Sequence, residues 1–400
     1  MPVAKHSESD RLSVAVVHAR YRQPGGEDRA VASHVTLLKQ HGHRVMVHLG
    51  SNHDFASVGA LAQATGTVWN DRARRELAAH FARERPMVAH VHNTFPSLSP
   101  AVYRAARDAG IPIVQTLHNY RLVCPNSLLF RDGARCTECL TRSVKWPAVR
   151  HACYRDSHAA SAVTAAMLAV HAAAGTWRTG VDAYIALTNA ARDRFIAGGL
   201  PAERIEVQPG FLAEDPGAGA HDGGYALYVG RLSTEKGVAT LLSAWRAAYH
   251  HGRRLLIAGS GPLETRLDRT APGVEFIGQC SNDRVLALMR DATMLVFPSE
   301  CDEGFPVTLL EAFATALPII AGDHGAMAEL ITHDRTGRHF VAGNVTSLAD
   351  AMAWAFENPG PRASLGNAAR EMFTRTYAAD HAYGRLNALY ERLANARHGA

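Results

Sequence analysis

The sequence has no apolar run long enough to span a bilayer. The nearest candidate, 159–175, is short, alanine-rich and interrupted by His171, so a buried or interfacial helix is expected there. The first ten residues are polar and hold no apolar core, so no secretory leader is expected. Long polar tracts are missing, which excludes extended disorder. Aromatic residues make up only 7% and are not interleaved with the basic ones, so nucleic acid is not expected as a partner. The glycine-rich loop after the first apolar run is not Gly-x-Gly-x-x-Gly, which counts against a dinucleotide site. With six cysteines and no leader, reduced thiols and a cytoplasmic setting are expected.

What is present is an ordinary globular balance, 47% apolar and 20% charged, in 400 residues, a length that suits two α/β domains. The net charge of +5 is unevenly spread. Residues 1–210 carry 25 Lys+Arg against 16 Asp+Glu, whereas 211–400 carry 17 against 21. A basic first half suits anionic lipid or phosphorylated substrates, and equally a solvated, arginine-rich surface. Short, nearly continuous apolar runs fall at 13–18, 45–48, 88–91, 113–116, 183–187 and 205–208. A second set falls at 226–229, 255–258, 274–277, 294–297, 318–321 and 339–341. Helical patterns such as 238–250 and 283–291 lie between them. That alternation predicts parallel strands covered on both faces. The Pro- and Gly-rich segment 209–224 interrupts the pattern and reads as a linker. The expected fold is therefore two Rossmann-like, doubly wound domains, 1–210 and 223–376, facing a central cleft. A C-terminal helix in 377–400 is expected to pack back on the first domain. Ligands are expected at the C-terminal ends of the strands.

The strongest chemical signal follows the run 226–229. Gly230-Arg231-Leu232-Ser233-Thr234-Glu235-Lys236-Gly237 places two cations on a tight loop that opens a helix, an arrangement that can hold a diphosphate. After 294–297 the chain reads Pro298-Ser299-Glu300-Cys301-Asp302-Glu303-Gly304-Phe305-Pro306, with Glu311 eight positions beyond Glu303. Gly304 lets backbone approach a ligand, and Pro306 suits the first turn of a helix. Glu311 sits among Leu309, Leu310, Ala312 and Phe313, where a carboxylate needs hydroxyl-type partners. In the first half, Gly25 and Gly26 follow the first strand and precede a helix. His118 ends the fourth strand, at the ligand edge, and His92-Asn93 closes the third.

These motifs, with Gly259-Ser260-Gly261-Pro262, resemble those of the retaining GT-B glycosyltransferases grouped as family 4, over nearly the whole chain. The resemblance implies that Arg231 and Lys236 hold a donor diphosphate, that Glu311 binds ribose hydroxyls, and that Glu303 contacts the donor sugar beside the N–H groups of Gly304 and Phe305. It also gives His118 a donor contact. Gly25, Gly26, Gly230 and Pro306 shape the donor loops. Ala316 and Ala326 stand where the family usually has glycine. The implied activity is transfer of a sugar from a nucleoside diphosphate sugar to a hydroxyl of a glycan or lipid-linked acceptor, in polysaccharide or glycoconjugate synthesis. No cofactor for catalysis is expected, and the basic first half would give peripheral contact with the cytoplasmic face of a membrane. Two other functions fit parts of the sequence: a nucleotide-sugar epimerase on the same fold, and a non-enzymatic module binding anions or membrane.

Cys124, Cys136, Cys139 and Cys153 form C-x11-C-x2-C-x13-C in an irregular insertion at about 120–155. The C-x2-C spacing suits a structural zinc with four thiolate ligands. Two disulfides, or four unrelated thiols, are the alternatives.

Overall fold

The computed structural model describes residues 11–22, 25–248 and 252–398. Residues 1–10, Pro24 and His250, the end of one expected helix, lie outside the described residues.

Each expected apolar run forms a strand, and the strands build two six-stranded parallel sheets. The first contains β1 (Ser13–Arg20), β2 (Arg44–Ser51), β3 (Val88–Val91), β4 (Ile113–Leu117), β7 (Ala183–Ala186) and β8 (Ile205–Val207). Its order is β2-β1-β3-β4-β7-β8. The register pairs Val14 with both Val45 and Val88, which places β1 inside the sheet, and Val14, Ala15, Val16 and Val17 are wholly buried, so both faces of β1 are covered. The second contains β9 (Tyr225–Val229), β10 (Arg254–Ala258), β11 (Val274–Gly278), β12 (Met294–Phe297), β13 (Ile319–Gly322) and β14 (Arg338–Phe340), ordered β11-β10-β9-β12-β13-β14. In both sheets the order reverses beside the first strand. Crevices at such switch points take ligands in open α/β sheets.

A short antiparallel hairpin, β5 (Phe130–Arg131) and β6 (Ala134–Arg135), is an addition the apolar pattern does not show. Its turn is Asp132-Gly133, both at positive φ, a primed turn that matches strand twist. Chain contacts divide the molecule into two units. One is 1–129, 137–213 and 379–400; the other is 130–136 and 214–378.

In the first unit the C-terminal helix Ala379–His398 lays Leu386, Leu389 and Tyr390 against Val14, Val16, Val88 and Val114. Apolar residues three and four apart on that helix make this stripe. Its Tyr383 hydroxyl meets His43 Nε2 at 2.9 Å. The alanine-rich segment forms the helix His158–Ala173, capped by Ser157, with Met167, Leu168 and His171 buried. Among the described residues no helix is long and apolar enough to cross a membrane.

In the second unit the core gathers Trp245, Leu255, Ile257, Met294, Val296 and Ile320. Ala316 closes the helix Val307–Ala314 with φ of 60°, the left-handed conformation in which glycine carries no steric penalty. Ala326 is wholly buried in the helix Gly325–Leu330.

Candidate functional site

The second sheet's carboxyl edge collects the motif residues into one constellation. β9 ends at Val229, and the chain turns through Gly230 and Arg231 into a short 3-10 turn, Thr234–Lys236. Gly237 follows with φ of +65°, and a Cβ there would lie 1.9 Å from the Pro298 carbonyl oxygen. Only glycine lets this loop press against the chain leaving β12. The contact is sealed by the Glu300 N–H donating to the Glu235 carbonyl at 2.9 Å. Gly259, at φ +143°, lets the loop after β10 reach the Gly230 carbonyl in the same way.

That close approach brings the two motifs together. Lys236 Nζ donates to Glu303 Oε1 at 2.6 Å, and Ser299 Oγ donates to the same oxygen at 2.6 Å. Burial opposes the charge on Lys236, but the Glu303 carboxylate outweighs it and holds the ammonium above its ordinary pKa. Arg231 pairs with Glu235 at 2.9 Å, and Ser233 Oγ donates to that carboxylate at 2.6 Å. Burial works against the ionised Glu235, yet the Ser233 and Arg231 bonds keep its pKa below the usual value. Both cations of the loop thus carry a carboxylate partner. Glu311 lies within the helix Val307–Ala314 and is buried with only 2% exposure. Pro306 is the residue that caps this helix, one position ahead of its first turn, and Phe305 packs edge-on to Tyr377. Gly304 lies between Glu303 and Phe305 in the loop that leads into it. His324, after β13, binds the Cys301 carbonyl at 3.0 Å through Nε2.

The first sheet's carboxyl edge is built differently. Gly25 precedes the helix Gly26–Gln40, and Asp28 accepts from the Gly25 N–H at 2.9 Å and meets His18 Nε2 at 3.0 Å. His118, after β4, meets His92 Nδ1 through its Nε2 at 2.8 Å. His92 stacks on His90, with ring centroids 4.3 Å apart, and His34 sits 5.0 Å from both. Burial holds His34 and His118 down at about 3, and His90 and His92 well below the ordinary imidazole value. These imidazoles are neutral at pH 7. Asn93 turns inward and donates to the Ala19 carbonyl at 2.9 Å, a structural role.

Sequence reasoning missed most of this network. His90 and His92 are two apart on one strand face, which was a visible signal; His34 and His18 gave none. Among the described residues, His34, His90 and His92 are the one set of three or more metal-type side chains with ligand atoms within 4.8 Å of one another. Both nitrogens of His90 are already engaged, with Tyr390 at 2.5 Å and Thr116 at 2.7 Å.

The four insertion cysteines are free thiols and are not gathered into such a set. Burial raises the Cys139 thiol to about 11, with Cys124 and Cys153 close enough to add to the shift. The insertion is organised in part by Lys145, whose buried ammonium donates to the carbonyls of Cys139, Leu140 and Arg142 at 2.9, 3.3 and 2.6 Å. Arg121 is held over the rings of Phe95 and Tyr154 at 4.4 and 4.9 Å.

Two doubly wound parallel sheets in one chain, with paired glutamates and a lysine-bearing loop at the second sheet's carboxyl edge, define the GT-B class of fold. Residues 215–372 match the family described as glycosyl transferases group 1. The chain is 30% identical over 175 residues to a glycogen synthase of Mycobacterium tuberculosis, covering 42% of this chain and 41% of that protein. It is 25% identical over 354 residues to an alpha-D-kanosaminyltransferase of Streptomyces kanamyceticus, covering 85% and 84%. The chain spans about two fifths of the first curated relatives it matches. Its fold is similar to Anabaena HepE, solved in complex with UDP and glucose, at a TM-score of 0.68 and 16% identity, covering 95% of this chain and all of that one. It is also similar to a sucrose-phosphate synthase of Thermosynechococcus elongatus, at a TM-score of 0.72 and 16% identity, covering 96% and 100%.

Proposed function

We propose that this protein is a glycosyltransferase that moves a sugar from a nucleoside diphosphate sugar to an acceptor hydroxyl with retention of anomeric configuration. The observation that carries this is the convergence of Lys236, Glu303 and Ser299 on one oxygen at the carboxyl edge of the second sheet, with Arg231 on the same loop. A diphosphate entering there exchanges the carboxylate partners of Lys236 and Arg231 for its own oxygens. Glu303, released, accepts hydroxyls of the donor sugar, and the buried Glu311 accepts those of the ribose. His118 adds a neutral contact to the donor, and the Gly25, Gly26 and Gly230 loops leave room for it.

Catalysis then rests on stabilising negative charge that develops on the leaving diphosphate. Glu303 is a poor nucleophile while the Ser299 hydroxyl and the hydroxyls of the donor sugar bind its carboxylate. That favours a same-face displacement in which the leaving phosphate takes the acceptor proton. No cofactor enters this chemistry. Relatives named for glycogen, amylovoran and phosphatidylinositol mannoside synthesis support a glycan or lipid-linked acceptor. Leu61 is 79% exposed and Trp69 44% exposed in the arginine-rich first unit, which supports peripheral membrane contact; flotation with anionic vesicles tests it. The main test is a thermal-shift screen of nucleotide sugars, followed by product analysis with and without an acceptor. Transfer with a retained anomer is expected. A changed sugar with no acceptor consumed would identify an epimerase instead.

A further inference from the structure

Four buried side-chain atoms without a hydrogen-bond partner fall together at the first sheet's carboxyl edge: His18 Nδ1, Glu27 Oε1, His34 Nδ1 and His92 Nε2. Buried polar atoms are almost always paired, so a group of orphans in one place points to a missing polar ligand. Glu27 is the most informative of them. Its Oε2 accepts from Tyr21 Oη at 2.7 Å and from Asn119 Nδ2 at 3.1 Å, and the Asn119 amide also donates to the Tyr21 hydroxyl at 3.1 Å. One oxygen is therefore fixed from two directions while the other, Oε1, is shut off from solvent with no hydrogen-bond partner among the described residues. Burial raises the pKa of this carboxyl, with the neighbouring His18 and the Tyr21 bond opposing. Tyr21, Arg22 and Gly25, just ahead of it in the chain, are exposed.

The chemistry around Oε1 selects the ligand. An anion is disfavoured by the Glu27 and Asp28 carboxylates. A cation is opposed by the Arg121 guanidinium, which already interacts with Glu27, and His92, neutral through burial, adds no countercharge beyond the two carboxylates. What remains is an uncharged group that both donates and accepts. A carboxylate oxygen needs a donor, and each imidazole nitrogen takes either role according to its tautomer. Adjacent hydroxyls on one small molecule meet both demands.

We propose that Glu27, held by Tyr21 and Asn119, takes up a hydroxyl of a neutral sugar or polyol, with His18 and His92 completing the site. Under the function proposed above, on which this role rests, that molecule is the glycosyl acceptor, and Glu27 determines its recognition.

The full chain, labelled with carboxyl-13C glutamate and saturated with UDP, is titrated with methyl α-D-glucopyranoside and with glycerol. The Glu27 signal is the one missing from Glu27→Gln. A saturable shift of that signal is expected with the glucoside, and none with its fully O-methylated form. Glu27→Ala is expected to weaken glucoside binding at least tenfold. Glu27→Gln, which keeps the volume and the Tyr21 and Asn119 bonds, should fold and bind UDP within twofold of wild type. An unmoved Glu27 signal, or glucoside binding unchanged in Glu27→Ala, overturns the proposal. A saturable shift in a protein that transfers no sugar from any nucleotide sugar leaves the hydroxyl site standing and removes the glycosyltransferase function instead.

Discussion

The two sheets present carboxyl edges of the same topology and opposite chemistry. The second edge is ionic: Lys236 with Glu303, and Arg231 with Glu235. The first edge is built largely from neutral imidazoles, with His92 and His118 sharing a hydrogen bond, His90 stacked on His92 and His34 edge-on to His90. An ionic edge can trade one anion for another at modest cost, because both cations are already aimed and Lys236 is already largely withdrawn from water. A neutral, acceptor-rich edge suits hydroxyls. One fold used twice thus gives a place for a charged donor and a place for an uncharged acceptor, and the side chains after the strands make the difference.

The largest expected effect breaks the ionic edge. Lys236→Ala and Arg231→Ala should each lower turnover by about a hundredfold or more, since one transition-state charge contact is worth roughly 3 kcal/mol. Steady-state kinetics with the donor found by the screen measures this; near-wild-type rates in both variants would remove the loop from the chemistry.

The glutamates sharpen the division within that edge. Glu311→Ala should weaken nucleoside diphosphate binding at least tenfold by calorimetry. Glu303→Ala should leave such binding intact, or tighten it by freeing Lys236, while lowering affinity for the complete nucleotide sugar. Equal losses from both variants would contradict their separate roles.

Acid should separate the two units. A histidine whose folded pKa lies below its unfolded value binds its proton first in the unfolded chain. Its stabilisation is complete above about pH 6.5 and is lost as pH falls toward about 3. Each such group contributes a slope of up to about 1.4 kcal/mol per pH unit, and His34, His90, His92 and His118 share this direction in the first unit. In the second unit burial also lowers His221 and His339, but both lie closer to solvent. Hydrogen exchange at pH 7 and pH 5 should therefore show β3 and β4 losing more protection than β12 and β13. Equal loss in both sheets would mean the histidines are not buried neutral.

Much of this was readable in the sequence, and what was not has a physical reason. Both sheets were legible because strands covered on two faces must be apolar throughout, as at Val88–Val91 and Met294–Phe297. The Glu303–Glu311 spacing and the Gly230–Gly237 loop were legible because each motif is contiguous. The Lys236–Glu303 ion pair was not, since it spans 67 positions and depends on Gly237 touching Pro298. The imidazole network was hidden for the same reason, its members being scattered from 18 to 118. The insertion around Lys145 shows a further limit, because cysteine spacing drew attention to the thiols while a buried lysine ties the carbonyls. Lys145→Met should leave those carbonyls without a donor, cost the insertion about 1–3 kcal/mol, and speed proteolysis within 131–150. Unchanged cleavage would put the insertion's order elsewhere, and elemental analysis for zinc would then be the informative measurement.

The smallest expected effect concerns Ala316. Glycine at that left-handed position relieves about 1 kcal/mol of strain but loses some of it to unfolded-chain entropy, so Ala316→Gly should raise the melting temperature by a few degrees at most. A clear drop would mean that the methyl group's packing outweighs the strain.

The central claim is that the second sheet's ionic edge is a nucleotide-phosphate site. Titration calorimetry with UDP and with GDP, on wild type and on Lys236→Ala, tests it most directly. One nucleotide should bind wild type at one per chain and lose at least tenfold in affinity in the variant. Binding of neither nucleotide, or equal binding by both proteins, would contradict the account.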